Sequence, residues 1–448
     1  MSRKKIVILG GGITGLVSAY YLSEKYSVIL IEKERYLGGS AAGFIYKDFI
    51  LDCGPHKIYT ELPGIINEIK KITPLIKIKK KNSIYLKGNY YDFPLSLGQI
   101  ATRMPITAIR AGLDMLKKQF TNLPDDSYEN FLVNRFGKTL YSLSFKDYAF
   151  KIWNSNPKEL DPELARRRVA VSGFSELLKS IITKKTSKIS AEFFYYPPNG
   201  IKQIIDSLIS KIKNQKSKVL TNANISEIRI KNNKVDFIRY GKKRIFPDYV
   251  ISTIPLDSLS KIIKPSNPLF DRASSSLKYQ KLNIIYFILK KPRALKDCWI
   301  FFPEGRFIFQ RVSEQKAFSP RTSPRNKTAL MVETTREISP KLIDRVIGQM
   351  EFAGILKKEE IEEHFVKSIK KAYPLYHKGF LNVLKEINLY ASSIGNLYLL
   401  GRQGLFNYNN MDQCWDMALK ISTQLRNNHN KEDWAKVERY FDNYKIVD

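Results

Sequence analysis

A short apolar run ending in three spaced glycines leaves the start of this chain little choice of architecture. In Lys4-Lys5-Ile6-Val7-Ile8-Leu9-Gly10-Gly11-Gly12-Ile13-Thr14-Gly15, the stretch Ile6 to Leu9 has the length and β-branching of a parallel strand covered on both faces. Gly10 permits a tight turn, Gly12 lets backbone approach a pyrophosphate, and Gly15 lets the next helix pack close to the strand. That helix, expected over Thr14 to Lys25, would aim its positive end and first-turn N–H groups, those of Ile13 and Thr14 among them, at phosphate. A second strand, Ser27 to Ile31, ends in Glu32-Lys33, about twenty residues on, where a carboxylate takes ribose hydroxyls and repels a 2′-phosphate. The order strand, glycines, helix, strand, acid is far more specific than the glycine triplet alone.

With 448 residues the chain exceeds one compact core, and about two or three units are expected. Three cysteines, Cys53, Cys298 and Cys414, stand too far apart for a disulfide framework or a zinc site, so no metal is expected. No apolar stretch is long enough to span a bilayer and the N-terminus lacks a signal-peptide plan, which leads to the expectation of a cytoplasmic protein. The net charge of +32 attracts polyanions, whether phosphorylated small molecules, anionic lipid or nucleic acid. Lysines mixed with Ile, Asn and Tyr along the whole chain equally fit a bias of composition. No base-reading element is recognisable, so a nucleic-acid partner is not expected. Leu95 to Phe120 reads as helical, with Arg103, Arg110, Lys117 and Lys118 among apolar residues. Such a stretch either packs on its own core or lies against the inner face of an anionic membrane.

Further landmarks follow in order. Arg35 to Ala41 is a loop of small residues containing Gly39 and Ser40, and Phe49 to Thr60 reads as a strand broken at Gly54-Pro55, leaving His56 just beyond. Ser83 to Leu95 reads as a hairpin, and Tyr128 to Phe150 as two helices, followed by Trp153 and Arg166-Arg167-Arg168. Tyr195 to Gly200 is a turn that opens a helix, Ile201 to Ile212, and short strands follow at Lys218 to Leu220, Ile225 to Ile230, Val235 to Tyr240 and Val250 to Thr253. Asn283 to Leu289, Trp299 to Gln310 and Leu330 to Glu333 are strand-rich, whereas Pro340 to Met350 and Glu359 to Lys371 read as helices. Near the end, Leu397-Tyr398-Leu399-Leu400-Gly401-Arg402-Gln403-Gly404 is again a strand running into glycines, with a helix from Gln413 to Arg426 after it. Its N-terminus suits the polar edge of an extended cofactor.

A glycine fingerprint at one end and a strand-Gly-Arg-helix at the other resemble the FAD site of the glutathione-reductase-type flavoproteins. Leu37-Gly38-Gly39-Ser40, Asp52-Cys53-Gly54-Pro55-His56, Asp92-Phe93-Pro94-Leu95, Ile152-Trp153, and Gly401 to Gly404 through Tyr408-Asn409-Asn410-Met411-Asp412 are similar to the branch holding UDP-galactopyranose mutases and protoporphyrinogen-oxidase-like, amine-oxidase-type flavoenzymes. The resemblance implies an α/β, two-part Rossmann-like FAD domain with an inserted α+β substrate domain. It divides the chain into cofactor segments at 1–75, 196–260 and 381–448 and substrate segments at 76–195 and 261–380.

It also implies non-covalent FAD held by Gly10, Gly12, Ile13, Thr14, Gly15, Glu32, Lys33, Gly39 and Ser40. Ile225 would lie near the adenine, and Gly401, Arg402, Met411 and Asp412 near the pyrophosphate and flavin ring. His56 falls beside the ring. Arg311 and Arg336, with Arg168 a third, are the candidates for a substrate diphosphate, and Trp153, Tyr376 and Tyr408 the candidates for further substrate contacts. The mutases of this branch use reduced flavin to displace the nucleotide, whereas its oxidases use oxidised flavin to accept a hydride. Three readings follow: net oxidation of a phosphate-activated sugar in cell-surface glycan synthesis, isomerisation of such a sugar without net redox, or oxidation of an apolar porphyrinogen, amine or polyene. The unclear arginine pattern favours the first over the second, and oligomeric state is left open.

Overall fold

The structure, a computed structural model, describes residues 3–118, 123–168, 192–215, 217–427 and 431–446. Its organising layer is a parallel sheet of five strands in the order Leu397–Leu399, Tyr249–Ser252, Lys5–Leu9, Ser27–Ile31, Lys218–Leu220. The glycine-led strand is central, and Ile6, Val7, Ile8 and Leu9 are all fully buried, which is why that run carries no polar alternation. Helix Ile13–Leu22 packs against Met411–Arg426 and Lys202–Asn214, so the beginning, middle and end of the chain close one layer.

A four-stranded sheet, ordered Lys243–Ile245, Lys234–Tyr240, Ile225–Lys231, Ile263–Lys264, stands beside it. The third large sheet has seven strands in the order Ile361–Leu375, Lys278–Leu289, Thr328–Thr334, Arg311–Glu314, Trp299–Phe301, Asn82–Leu86, Asn89–Asp92. It is antiparallel except where Trp299–Phe301 meets Asn82–Leu86. The helices Leu97–Arg103, Pro105–Lys118, Tyr128–Ser144, Lys146–Trp153 and Pro162–Arg168 follow that sheet's last hairpin strand, Asn89–Asp92, in the chain.

Three sequence expectations change. Glu359 to Lys371, read as a helix, is part of the strand Ile361–Leu375, paired along Lys278–Leu289 with Phe365 opposite Tyr286 and Val366 opposite Ile285. The strand-rich reading of Trp299 to Gln310 shrinks to Trp299–Phe301, because the chain must turn before Arg311–Glu314 pairs back on it. Of Leu95 to Phe120, read as one helical stretch, the described residues form two helices, Leu97–Arg103 and Pro105–Lys118, parted at Met104-Pro105, since proline has no N–H for an uninterrupted helix and favours a helix start; Gln119 and Phe120 lie outside the described residues.

Candidate cofactor and substrate site

The three glycines do separable physical work. Gly10 has φ +99°, a region a side chain resists, and a Cβ on Gly15 would fall 2.0 Å from the Gly10 carbonyl oxygen, so the helix can reach the turn only without one. Gly12 is different: a Cβ there would meet nothing within 4 Å. The space beside it is open, and helix Ile13–Leu22 starts at Gly12 with no side chain capping it. The Glu32 carboxylate closes one side, accepting from Gly11 N at 2.7 Å and Glu34 N at 2.9 Å. Lys33 turns to solvent and pairs with Glu34 at 3.7 Å.

The loop of small residues docks on the same turn, with Gly38 N donating to Gly11 O at 2.7 Å and a Gly39 Cβ only 3.3 Å from Gly12 Cα. The C-terminal glycine abuts it too, because a Gly401 Cβ would lie 2.7 Å from Thr14 Oγ1. Asp412 opens helix Met411–Arg426, and burial raises its pKa to about 6 against opposing hydrogen bonds from Thr60 and backbone. Ile225 is half-buried at the start of its strand and does not line the cleft described next. An open gap beside Gly12, an uncapped helix start, a fixed carboxylate and a second glycine end match the phosphate and ribose chemistry of an FAD.

From this cradle a cleft runs toward the seven-stranded sheet. Ser40, His56, Arg168, Arg311, Arg402, Tyr408 and Met411, all expected from the sequence, line it together. His56 follows the Gly-Pro turn, and its Nδ1 lies 3.1 Å from Gly54 O. Burial lowers its pKa to about 4, with Arg402 and Arg311 adding to the effect and the Gly54 carbonyl opposing it. A neutral ring with Nδ1 at a carbonyl carries its proton there, which leaves Nε2 as an acceptor.

Arg311 pairs through Nε with Glu333, whose side chain is 2% exposed. Burial disfavours the guanidinium charge, but the Glu333 carboxylate more than offsets this and keeps it protonated. Arg402 is fixed by backbone, donating to Asn409 O at 2.9 Å and Ala372 O at 3.2 Å. Arg168 lies 5.5 Å from the Trp153 ring centre and 5.4 Å from that of Tyr408.

Other expected residues fall elsewhere. Arg336 is exposed beyond the cleft lining. Tyr376 is 1% exposed, stacks on Phe380 and accepts from Tyr408 N at 2.7 Å, so it braces Tyr408 from behind. Trp153, also 1% exposed, stands edge-on to Tyr373 and Tyr408 as a second layer. Sequence reasoning passed over Glu333, Tyr373, Tyr148 and Gln310, which line the cleft. Glu333 lies at the end of an otherwise apolar predicted strand, and a lone acid there was a usable signal.

A parallel nucleotide layer closed from both chain ends, opening into a cleft beside a Gly-Pro-His turn, defines an enzyme of the FAD-dependent class. Residues 13–390 match the family model of flavin containing amine oxidoreductases, and the chain belongs to that family. FAD is its cofactor. The chain is 26% identical over 178 residues to a probable UDP-galactopyranose mutase of Klebsiella pneumoniae, covering 37% of this chain and 45% of that protein. It is 22% identical over 434 residues to the UDP-galactopyranose mutase of Mycoplasma genitalium, covering 94% of each. The chain spans only 45% to 64% of the length of several curated relatives it matches, the Klebsiella protein among them. In fold it is similar to a crystal structure of reduced UDP-galactopyranose mutase, with a TM-score of 0.83 over 95% of this chain and 94% of that one at 20% identity.

Proposed function

We propose that this flavoenzyme isomerises a sugar carried on a nucleoside diphosphate, without net oxidation. One observation carries the reading: among the described residues the cleft lining sets three arginines and Lys57 against a single carboxylate, Glu333, which Arg311 already neutralises. Such a wall suits a dianionic leaving group, because guanidinium forks match phosphate oxygens and stabilise the charge that grows as the anomeric C–O bond breaks. The sequence alone favoured net oxidation because no paired arginines stood out. Arg168 and Arg311 meeting in one cleft weighs toward isomerisation, as does similarity to a mutase along nearly the whole chain.

Bound FAD supplies a centre that can be oxidised or reduced at the cradle end of the cleft. The chain's own residues do the rest. Arg168 holds the diphosphate, with Arg311 steadied for the same work by Glu333. Tyr373 and Tyr408 present ring faces and hydroxyls to the sugar, and burial keeps the Tyr373 phenol protonated. The Nε2 lone pair of His56 accepts from a sugar hydroxyl. The diphosphate returns to the carbon it left, so no electron acceptor is consumed.

The test is to add UDP-, GDP- and dTDP-sugars to the purified protein under oxidised and then dithionite-reduced conditions, following the flavin spectrum and the products. Conversion only after reduction, with no net electron change, is the expected result. Bleaching of oxidised flavin by a sugar would replace isomerisation with net oxidation, and silence in both states would move the substrate to the apolar class.

A further inference from the structure

Helix Pro105–Lys118 wears its apolar side chains on the wrong side for a domain helix. Ile106, Ile109, Leu113 and Leu116 are 67%, 65%, 51% and 62% exposed, and their spacing sets them in one stripe along the outer face. The inner face is satisfied separately: Thr107 and Ala111 are buried, and the helix packs on Tyr128–Ser144. Single exposed leucines are ordinary on a protein surface, but four in register on one helix are a patch.

Charge separates the possible occupants. Arg103, Arg110 and Lys117 are exposed around the stripe. Asp114, the one acid in this helix, accepts from Thr139 N at 2.6 Å and sits against Gly137, so it is turned to the protein. The patch continues past Arg103, which donates to Tyr90 O, while Tyr90 donates to Ala353 O. Next to Ala353, Phe352 is 64% exposed with the Arg306 guanidinium 5.3 Å from its ring centre. A two-fold contact with a second copy would set this cationic face against itself, in a chain already carrying +32. An anionic surface with an apolar layer beneath satisfies both parts of the pattern.

We propose that the face built on Ile106, Ile109, Leu113 and Leu116 docks the enzyme on an anionic lipid bilayer, the helix lying in the plane of the interface. Among the described residues no helix is long and apolar enough to cross a membrane, which makes this a surface contact. The four side chains enter the headgroup boundary, and Arg103, Arg110 and Lys117 meet lipid phosphates. This docking does not depend on the substrate of the cleft, so it stands or falls apart from the isomerase reading.

The experiment is vesicle co-sedimentation of the FAD-loaded protein, with phosphatidylcholine alone and with phosphatidylcholine mixed with phosphatidylglycerol, at low and high salt. Binding is expected only to the mixed vesicles, weakened by salt. The Ile109→Asp/Leu113→Asp variant should lose at least about tenfold in partitioning. Arg103→Glu/Arg110→Glu should lose at least as much through charge alone. Leu269→Asp, at an exposed position on another helix, should bind like wild type. Flavin absorbance unchanged in every variant checks that the fold is intact. Equal pelleting with both vesicle types, no pelleting with either, or wild-type binding by both double variants would overturn the proposal. So would a wild-type dimer in sedimentation velocity that the Ile109→Asp/Leu113→Asp change splits without any effect on vesicle binding, since the face would then belong to a second copy.

Discussion

His56 shows how much one side chain owes to its surroundings. Its pKa is lowered from 6.5 to about 4, first by burial and then by Arg402 and Arg311. As pH falls below 6.5 the unfolded chain takes up this proton before the folded one does. The stability His56 contributes is therefore complete above 6.5 and is lost as pH falls toward 4. The rate should carry the same group: the His56 limb of kcat/KM is expected near 4, below any limb from Asp412 near 6, and a His56 limb between 6 and 7, one that His56→Gln removes, would show a ring that is not shielded. His56→Ala should keep its flavin and lose turnover, and an unchanged steady-state rate would return the residue to a structural role.

Glu333 makes a second case at this scale. Glu333→Gln leaves the part-buried Arg311 guanidinium without its countercharge, and a loss of about 3 kcal/mol of stability is expected in chemical denaturation, with kcat falling as Arg311 loses its fixed position. Full stability in the variant would mean that the pair contributes little to holding the cleft wall.

Among the elements, the glycine turn makes a contrast that stability and colour can separate. Gly12→Val places its side chain in open space at an extended φ of −70°, so the protein should fold with unchanged circular dichroism and purify without flavin. Gly15→Ala puts a methyl 2.0 Å from a carbonyl oxygen of the same turn, so it should damage the fold itself and lower the melting temperature. A yellow Gly12→Val protein would remove the cradle from the cofactor site.

The turn was legible in sequence because strand, glycines, helix and acid all lie within about 32 residues and need no distant partner. The strand Ile361–Leu375 was not. Ile361, Phe365 and Ile369 are four apart, a spacing that puts residues on one face of a helix and equally on one face of a strand, since four is a multiple of two. What decides between them is the buried strand Lys278–Leu289 offering its edge, about 80 residues away in sequence. The error carried into the site: with the strand misread, Tyr376 was named as a substrate contact and Tyr373 passed over, whereas Tyr373 lines the cleft and Tyr376, past the end of the strand, braces its back. Arg311, expected from the sequence to meet a substrate diphosphate, lines the cleft, but its partner is 22 positions on, across two paired strands, and no local pattern announces such a pair.

At the scale of the whole molecule, +32 charges either guide an anionic substrate or merely reflect a lysine-rich composition, and ionic strength tells the two apart. Long-range attraction acts over the Debye length, roughly 30 Å in 0.01 M salt and about 3 Å in 1 M, so steering by the whole surface is erased while contacts inside a buried cleft persist. If the excess charge serves the substrate, kcat/KM for a nucleotide sugar should drop roughly tenfold across that range, and kcat should barely move because Arg311 and Glu333 are shielded. Stopped-flow association with the FAD-loaded protein should lose the same factor in its on-rate and little in its off-rate, as expected for steering rather than contact. A kcat/KM that ignores salt would assign the substrate's binding to the cleft arginines alone and leave the remaining lysines as composition. Vesicle binding would answer separately, because the helix face adds apolar contact that salt does not screen. A protein indifferent to salt toward its substrate and sensitive to it toward anionic lipid would place the functional part of the charge on the outer face and not at the cleft mouth.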